Sequence, residues 1–446
     1  SWLSVVRAVT GRLGGLKSFL EQILLMPALY LLEYFFLMCE RLILLFCCAI
    51  ASGFTTYSIA ADVAERPNIV WIVIEGLSPI IPSYGDDTVA TPALSELAAE
   101  GIRYTNAFST SGVCAPSRAA LVTGMYPSHI GANHMRTGPW VAPNVDAETI
   151  WRYRGRMPEG VEPYEAMPGA DVIMLSELLR REGYYASNNA KADHQFRAPV
   201  TAWDDDSRQA HWRNRENPAQ PFFSVFNIGV TNESQIRTRP GRPVLVPFET
   251  ELLIPPYLVD DEATRADVRR LYSNIVEMEQ QVGSRLVELR EAGLLDSTWV
   301  FFFSDHGGPL LSQKRLLYDS GLRVPLIVRP PGGQQPATDN RLVSFVDFLP
   351  TTIAIAGAEV PPWAQSQAFL GGVDVGPREY IHAAADRFDE VTDAVRAVRN
   401  KRFKYLRNLC PQRDYYLPLA DREQMASMQS LLAGLEAGTL TPVQAQ

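Results

Sequence analysis

Four stretches of this chain are apolar at nearly every position: "NIVWIVI" (68–74), "FFSVFNI" (222–228), "WVFFF" (299–303) and "VPLIVRP" (324–330). A strand with one wet face alternates apolar and polar residues. A continuous β-branched and aromatic run belongs to a strand buried on both faces, which requires a parallel sheet with helices on either side. Helical patterns lie between the runs. "TPALSELAAEG" (91–101) has Thr91 to cap, Pro92 at the first helical position and Gly101 to stop. Met174–Gly183 leads into a strand at Tyr184–Asn189, and Asp260–Gly293 carries apolar residues at Val268, Leu271, Ile275, Met278, Val282, Leu286 and Leu289. The pattern predicts an α/β fold, a large mostly parallel central sheet flanked by helices on both faces. From Pro377 the texture changes to "REYIHAAA", "DAVRAVRNKRFKYLRN" and "DYYLPL". These read as short strands of a smaller C-terminal α+β subdomain with a short antiparallel sheet. The Pro- and Arg-rich stretches 136–170 and 236–257 read as long loops that wall a pocket.

The first 64 residues have a different character. Ile23 to Phe54 is strongly apolar, broken by Glu33, Glu40 and Arg41. A basic flank, the run Leu42–Ile50 and the small-residue exit "ASGFTTYSIAADVAE" make a secretory signal that opens at Met38, with an upstream extension before it. The alternative is an uncleaved membrane anchor, although a span needs about 20 apolar residues. The expected location is exported, periplasmic or secreted. The expected division is 1–64 as extension plus signal or anchor, 65–376 as the main domain and 377–446 as the small subdomain. Of five cysteines, Cys39, Cys47 and Cys48 fall in the signal. Cys114 and Cys410 remain, too few for a disulfide framework. Cys410 reads as an inert filler. A net charge of −9 argues against a nucleic-acid partner, so an anionic substrate has to be met by a local cluster of cations.

In an open α/β sheet, ligands sit outside the carboxyl ends of the strands. The first run delivers Glu75 there. The strand ending at Asn189 delivers Lys191, Asp193 and His194. The run ending at Ile228 delivers Asn232 and Glu233, and "WVFFF" delivers Asp305 and His306, with Lys314 soon after. Cys114 and Arg118 stand at the start of a helix in "GVCAPSRAALVTG". Free amides and the positive dipole end at that position favour a negatively charged group. Carboxylates, cations and a cysteine at one edge suit a metal-assisted attack on an anionic ester.

"CAPSRAALVTG" resembles the signature of the sulfatase family, Cys-x-Pro-Ser-Arg followed by an apolar helix with a Thr-Gly stop. "PNIVWIVIEG", "NNAKADHQF", "FFSVFNIGVTNES", "FFFSDHGG", "KRLLYDSGLRVPLIVR" and "VSFVDFLPT" fit the same family in the same order, so the resemblance spans roughly Pro67 to Asn408. It implies a sulfuric ester hydrolase of the alkaline phosphatase superfamily, acting on a sulfated sugar or a similar ester or sulfamate. It implies that a maturation enzyme oxidises Cys114 to formylglycine, whose hydrate attacks sulfur. By position, Arg118 holds the modified side chain, Lys191 and Lys314 bind sulfate oxygens, and His194 and His306 complete the catalytic set. Glu75, Asp305, His306 and Cys114 match metal ligands, with Ca²⁺ expected ahead of Mg²⁺.

Two positions depart from the family pattern. The first metal strand usually ends in two adjacent acids; here it ends Glu75-Gly76. A histidine that protonates the leaving group is replaced by Asn232. The loss of such an acid costs about 10²–10⁴ in rate, and His194 and His134 are the candidates to replace it. The ending "AGLEAGTLTPVQAQ" stops early for the family, which predicts a shortened small subdomain. The alternatives are therefore a phosphoester or phosphonate hydrolase on the same fold, or a weakened or non-catalytic homologue that grips sulfated glycan through Arg118, Lys191 and Lys314.

Overall fold

A computed structural model describes residues 66–135, 164–189, 191–237, 242–372, 376–389, 391–413, 416–419 and 421–445. The expected signal or anchor, and most of the 136–170 loop, lie outside the described residues. No described helix is long and apolar enough to cross a membrane.

The central strand is β1 (Asn68–Ile74), and its six residues from Ile69 on are buried. It lies between β5 (Phe222–Ile228) and β6 (Thr298–Ser304) and is parallel to both. Its alternate residues serve opposite cores. Val70, Ile72 and Ile74 face the long helix α4 (Glu262–Glu291), packing with Val268, Leu271, Ile275, Met278 and Val282. Ile69, Trp71 and Val73 face the other side, where they meet α2 (Cys114–Thr123), α3 (Leu175–Arg181) and α5 (Phe348–Ile355). Trp71 sits edge-on to Phe223, Phe303 and Phe348, with ring centroids 5.1, 5.5 and 5.7 Å away. This two-sided burial is what the unbroken apolar runs require.

The sheet is completed by β2 (Ile102–Phe108), β3 (Tyr185–Asn189), β4 (Asp205–Ser207), β7 (Arg323–Arg329) and β8 (Ala337–Ser344), in the order β4-β3-β5-β1-β6-β7-β2-β8. Only β7 runs against its neighbours. The mostly parallel sheet flanked by helices is as expected. The sequence had not announced β2 and β8, whose outer edge is partly polar. α1 (Pro92–Ala99) forms as predicted, but Thr91 makes no side-chain cap.

A second sheet, β11-β10-β9, is antiparallel and built from β9 (Ile381–Ala385), β10 (Val395–Arg399) and β11 (Lys404–Asn408). The segment "DYYLPL" is not a strand where it is described, at 416–419, and is followed by α6 (Ala426–Ala437). The inner face of the small sheet carries Ala383, Ala385, Ala397 and Leu406. It packs on Phe108, Val113 and Cys114. The small sheet therefore backs the start of α2.

Candidate active site

All ten residues of α2 are buried, and Cys114 is 2% exposed. Val113 precedes the helix in an extended conformation and makes no side-chain cap. Gly112 is required here by close approach. A Cβ on it would lie 2.6 Å from the Leu316 carbonyl oxygen. That approach lets the Arg315 amide donate to the Gly112 carbonyl at 2.6 Å, which ties the loop bearing Lys314 to the start of α2.

Two carboxylates face this helix from adjacent strand ends. The Asp305 backbone amide donates to Ile74, and its Oδ1 accepts from the Gly76 amide at 3.0 Å. Its Oδ2 accepts from Arg118 Nε at 2.8 Å, and both side chains are buried. Glu75 Oε1 accepts from Lys191 Nζ and from Asn232 Nδ2. Burial alone would push the Glu75 carboxyl up, but Lys191, then Lys314 and Arg118, outweigh it and hold the group well below the usual carboxylate range. Asp305 is likewise lowered against its burial, by His306, Arg118 and Lys191.

Cations and carboxylates are interleaved here. Lys314 is buried, yet Glu233 raises its pKa above the ordinary value, with Cys114 and Glu75 adding to the effect. Arg118, Lys191 and Lys314 face Glu75 and Asp305 beside a helix N-terminus, with Asp193 3.3 Å from Lys191 and Glu233 3.8 Å from Lys314. Cations at a helix N-terminus suit an anion at Cys114.

The histidines divide. His194 is buried, and burial together with Arg118 and Lys191 pushes its pKa down to about 3, so it is neutral at neutral pH. Its Nδ1 has no hydrogen-bond partner. His306 Nδ1 bonds the Gly307 carbonyl at 2.8 Å, which leaves Nε2 buried without a partner, 3.6 Å from Asp305 Oδ1. His134 makes its contacts with the Arg387 amide and the Tyr164 ring. Those contacts belong to the 386–387 turn after β9 rather than to the Cys114 cluster. Asn232 caps a short turn, its Oδ1 accepting from the Ser234 amide at 2.9 Å, while its amide nitrogen binds Glu75.

Sequence reasoning missed two supporting groups, Asn227 and Arg422. Asn227 Oδ1 accepts from Arg118 Nη1 at 2.5 Å, and its Nδ2 donates to Asn188 Oδ1 and the Asn189 carbonyl. The available signal was a lone asparagine inside an apolar strand. Glu233, buried, accepts from Arg315 Nη1 at 2.6 Å and faces Lys314 at 3.8 Å and Arg422 at 3.9 Å. Those cations hold its pKa down to about 2. Glu233 had been placed at a strand end, but Arg422 is remote in sequence and gave no signal.

A hard cation needs several ligands facing one point. Glu75, Asp305, His306 and Cys114 are gathered, but the two carboxylates are engaged elsewhere, Glu75 by Lys191 and Asn232, Asp305 by Arg118 and the Gly76 amide. Among the described residues no group of three or more His, Cys, Asp or Glu is arranged to hold a metal ion. The shortfall is at Gly76, where a Cβ would point at His306, 3.1 Å from its Cε1. The side chains present therefore do not fit the divalent cation implied by the resemblance.

The Sulfatase family model matches residues 67–358, and the C-terminal model of N-sulphoglucosamine sulphohydrolase matches 307–426. An ulvan-active sulfatase of Formosa agariphila is 48% identical over 417 residues, covering 86% of this chain and 67% of the relative. The human N-sulphoglucosamine sulphohydrolase is 27% identical over 367 residues, covering 73% of this chain and 70% of the relative. The chain thus spans about two thirds of the length of these relatives. Among solved structures, one bound to its substrate D-glucosamine-2-N,6-O-disulfate superposes with a TM-score of 0.58 at 16% identity, covering 84% of this chain and 95% of that one. The phosphonate monoester hydrolase of Agrobacterium radiobacter gives 0.55 at 17% identity, covering 85% and 97%, a likeness of fold. With its family model matched from β1 through α5 and its strand ends converging on Cys114, the chain belongs to the sulfatase family of the alkaline phosphatase superfamily, a family of sulfuric ester hydrolases.

Proposed function

We propose that this chain hydrolyses sulfate esters or sulfamates on a sulfated carbohydrate, with Cys114 as the precursor of a formylglycine nucleophile. One observation carries the reading. Cys114 opens an uncapped, fully buried helix one turn before Arg118 and interacts electrostatically with Lys314, and Lys314, Lys191 and Arg118 together act on the Glu75 carboxylate. The site fits the oxidised residue, because Arg118 Nη2 is buried one turn away without a hydrogen-bond partner, as an oxygen-bearing group at 114 would require. Formylglycine supplies a hydroxyl that can attack sulfur. The rest falls to the chain's own side chains. Lys191 and Lys314 hold sulfate oxygens, and the raised pKa of Lys314 keeps it charged. The first-turn amides of α2 and Arg118 stabilise the charge that gathers at position 114. His194, neutral at neutral pH, orients the ester by hydrogen bonding and carries no proton to give. No step is assigned to a metal ion.

The names of the relatives, a sulfatase active on ulvan and a sulphohydrolase of N-sulphoglucosamine, support a carbohydrate substrate. The reading includes an exported location, periplasmic or secreted, with membrane anchoring as the alternative. It rests on the apolar run and small-residue exit before Glu65. The test is the mass of the tryptic peptide containing Cys114 after co-expression with a formylglycine-generating enzyme, together with turnover of aryl sulfate beside aryl phosphate. The aldehyde-bearing peptide and a preference for sulfate are expected. Cys114→Ala should abolish turnover without changing the melting temperature; retained aryl-sulfatase activity would overturn the mechanism. Gly76 and Asn232 favour a second reading, a homologue that binds without turnover. Tight sulfate-ester binding by a correctly modified but inactive wild type would select it.

A further inference from the structure

The hairpin of the small sheet has a charge unlike that of the rest of the chain. Residues 394–413 hold Arg396, Arg399, Lys401, Arg402, Lys404, Arg407 and Arg413 and no acid, within a chain of net charge −9. The register sorts them. On the inner face, Arg399 lies opposite Lys404, and both are neutralised by Asp319. On the outer face, Arg396 lies directly opposite Arg407, and Val398 lies between Tyr405 and His382. Arg396 pairs with Asp386 at 2.9 Å. Among the described residues, Lys401, Arg402, Arg407 and Arg413 have no carboxylate partner.

Like charges placed opposite each other on an antiparallel pair weaken it. An edge strand does gain from charge, which deters pairing with another chain. It does not gain from exposed aromatic residues, which promote such pairing. Yet Phe403 is 65% exposed, Tyr405 63% and Tyr380 43%, and the Arg402 guanidinium lies 4.9 Å from the Phe403 ring centre. Deterring edge-to-edge pairing explains the cations and leaves the aromatics unexplained. A ligand that is both anionic and ring-bearing explains both. Guanidinium forks match a tetrahedral oxyanion bidentately, and a flat aromatic face accepts the apolar face of a sugar ring.

We infer that the outer face of the β10–β11 hairpin, with Arg402, Phe403, Tyr405 and Arg407 at its centre, binds a chain of sulfated polysaccharide at a second site. This site is separate from the Cys114 cluster, since it lies on the face of the sheet opposite Ala383, Ala397 and Leu406, the residues that pack against Val113 and Cys114. The choice of a sulfated sugar over other polyanions rests on the proposed function. Strand β9 is hydrogen-bonded to Thr110 and Ser111, just ahead of α2, so a polymer held here stays beside the site that acts on it.

The experiment is affinity electrophoresis of the Cys114→Ala chain, which separates binding from turnover. Gels are cast with dextran sulfate, with unsulfated dextran, or with single-stranded DNA of matched charge. Retardation in dextran sulfate alone is expected, weakening with added salt. The variant Arg402→Ser/Phe403→Ser/Tyr405→Ser/Arg407→Ser should lose about tenfold in affinity, or about 1.4 kcal/mol. All four side chains are exposed, and an unchanged melting temperature confirms the fold. The single changes Arg402→Ser and Tyr405→Ser should each give a smaller loss. Undiminished retardation of the fourfold variant would overturn the site. Equal retardation in DNA would overturn the saccharide assignment and point to a general polyanion surface. Failure of the sulfatase chemistry would appear in turnover assays and leave this binding unchanged.

Discussion

Replacing Gly76 with Asp tests directly why the expected metal ligands do not close. Gly76 has φ +74°, in the left-handed region, where a side chain costs about 1–2 kcal/mol, at the lower end for Asp. Its Cβ would lie 3.1 Å from His306 Cε1, so the imidazole has to give by a few tenths of an ångström. The new carboxylate would join Glu75 and Asp305 in a buried place already holding both of them. Without a cation, Gly76→Asp should therefore be less stable than the wild type by about 2 kcal/mol or slightly more, since the strain and the like-charge repulsion add. A bound ion reverses the sign. A ligand at a hundred times its Kd stabilises by about 2.7 kcal/mol, enough to offset the whole cost. The assay is thermal unfolding in EDTA and across a Ca²⁺ series, with bound metal measured on desalted protein. The variant should melt below the wild type in EDTA and converge on it as Ca²⁺ rises, while the wild type shifts little. A wild type that already binds one equivalent of Ca²⁺ and shifts as much as the variant would refute the reasoning. Lys191 would then have to leave Glu75 readily.

Asn232→His should raise turnover of alkyl sulfates, whose leaving groups need a proton, by up to the 10²–10⁴ a general acid provides, and leave aryl sulfates nearly unchanged; the ratio of the two rates is the measurement. Glu233→Gln should destabilise by about 3–5 kcal/mol at neutral pH, because Arg315, Lys314 and Arg422 lose the carboxylate they share. Since folding lowers the Glu233 pKa from 4.5 to about 2, its contribution is complete above pH 4.5 and is lost as pH falls toward 2. Urea denaturation of both proteins should show the gap narrowing across that window, and a gap independent of pH would contradict the ion-pair account.

The sequence revealed the central strands and what stands at their ends because double burial leaves an unbroken apolar run. Glu75, Asp305 and His306 follow such runs closely, Lys191 and His194 follow the strand announced by the helical pattern before it, and the fold gathers them with Arg118. What was hidden depends on contacts made only in three dimensions. β2 and β8 lie toward an edge of the sheet, where "IRYTNAF" and "ATDNRLVS" mix polar and apolar residues without a clear period. Asn227 looked like a flaw in an apolar strand until Arg118 was seen beside it. The link between Arg422 and Glu233 crosses most of the second half of the chain. Gly76 could be read as a departure from the family pattern, but its left-handed backbone and its aim at His306 could not.

The placing of β1 also sets a clock. Its partners come late in the chain, Ile69 beside Phe223 and Asn68 beside Thr298, and the cover of α2 includes Phe345, Phe348 and Leu349. Sheets that join such distant segments form slowly, after the loop-closure entropy has been met. During synthesis at about 5–20 residues per second, the segment after Cys114 takes on the order of tens of seconds to emerge as far as those residues. Until then the thiol sits in an open peptide; afterwards it is 2% exposed. Under the proposed modification, an enzyme that rewrites Cys114 would compete with folding for time, and the fraction of modified molecules would be set by that race rather than by anything visible in the finished site.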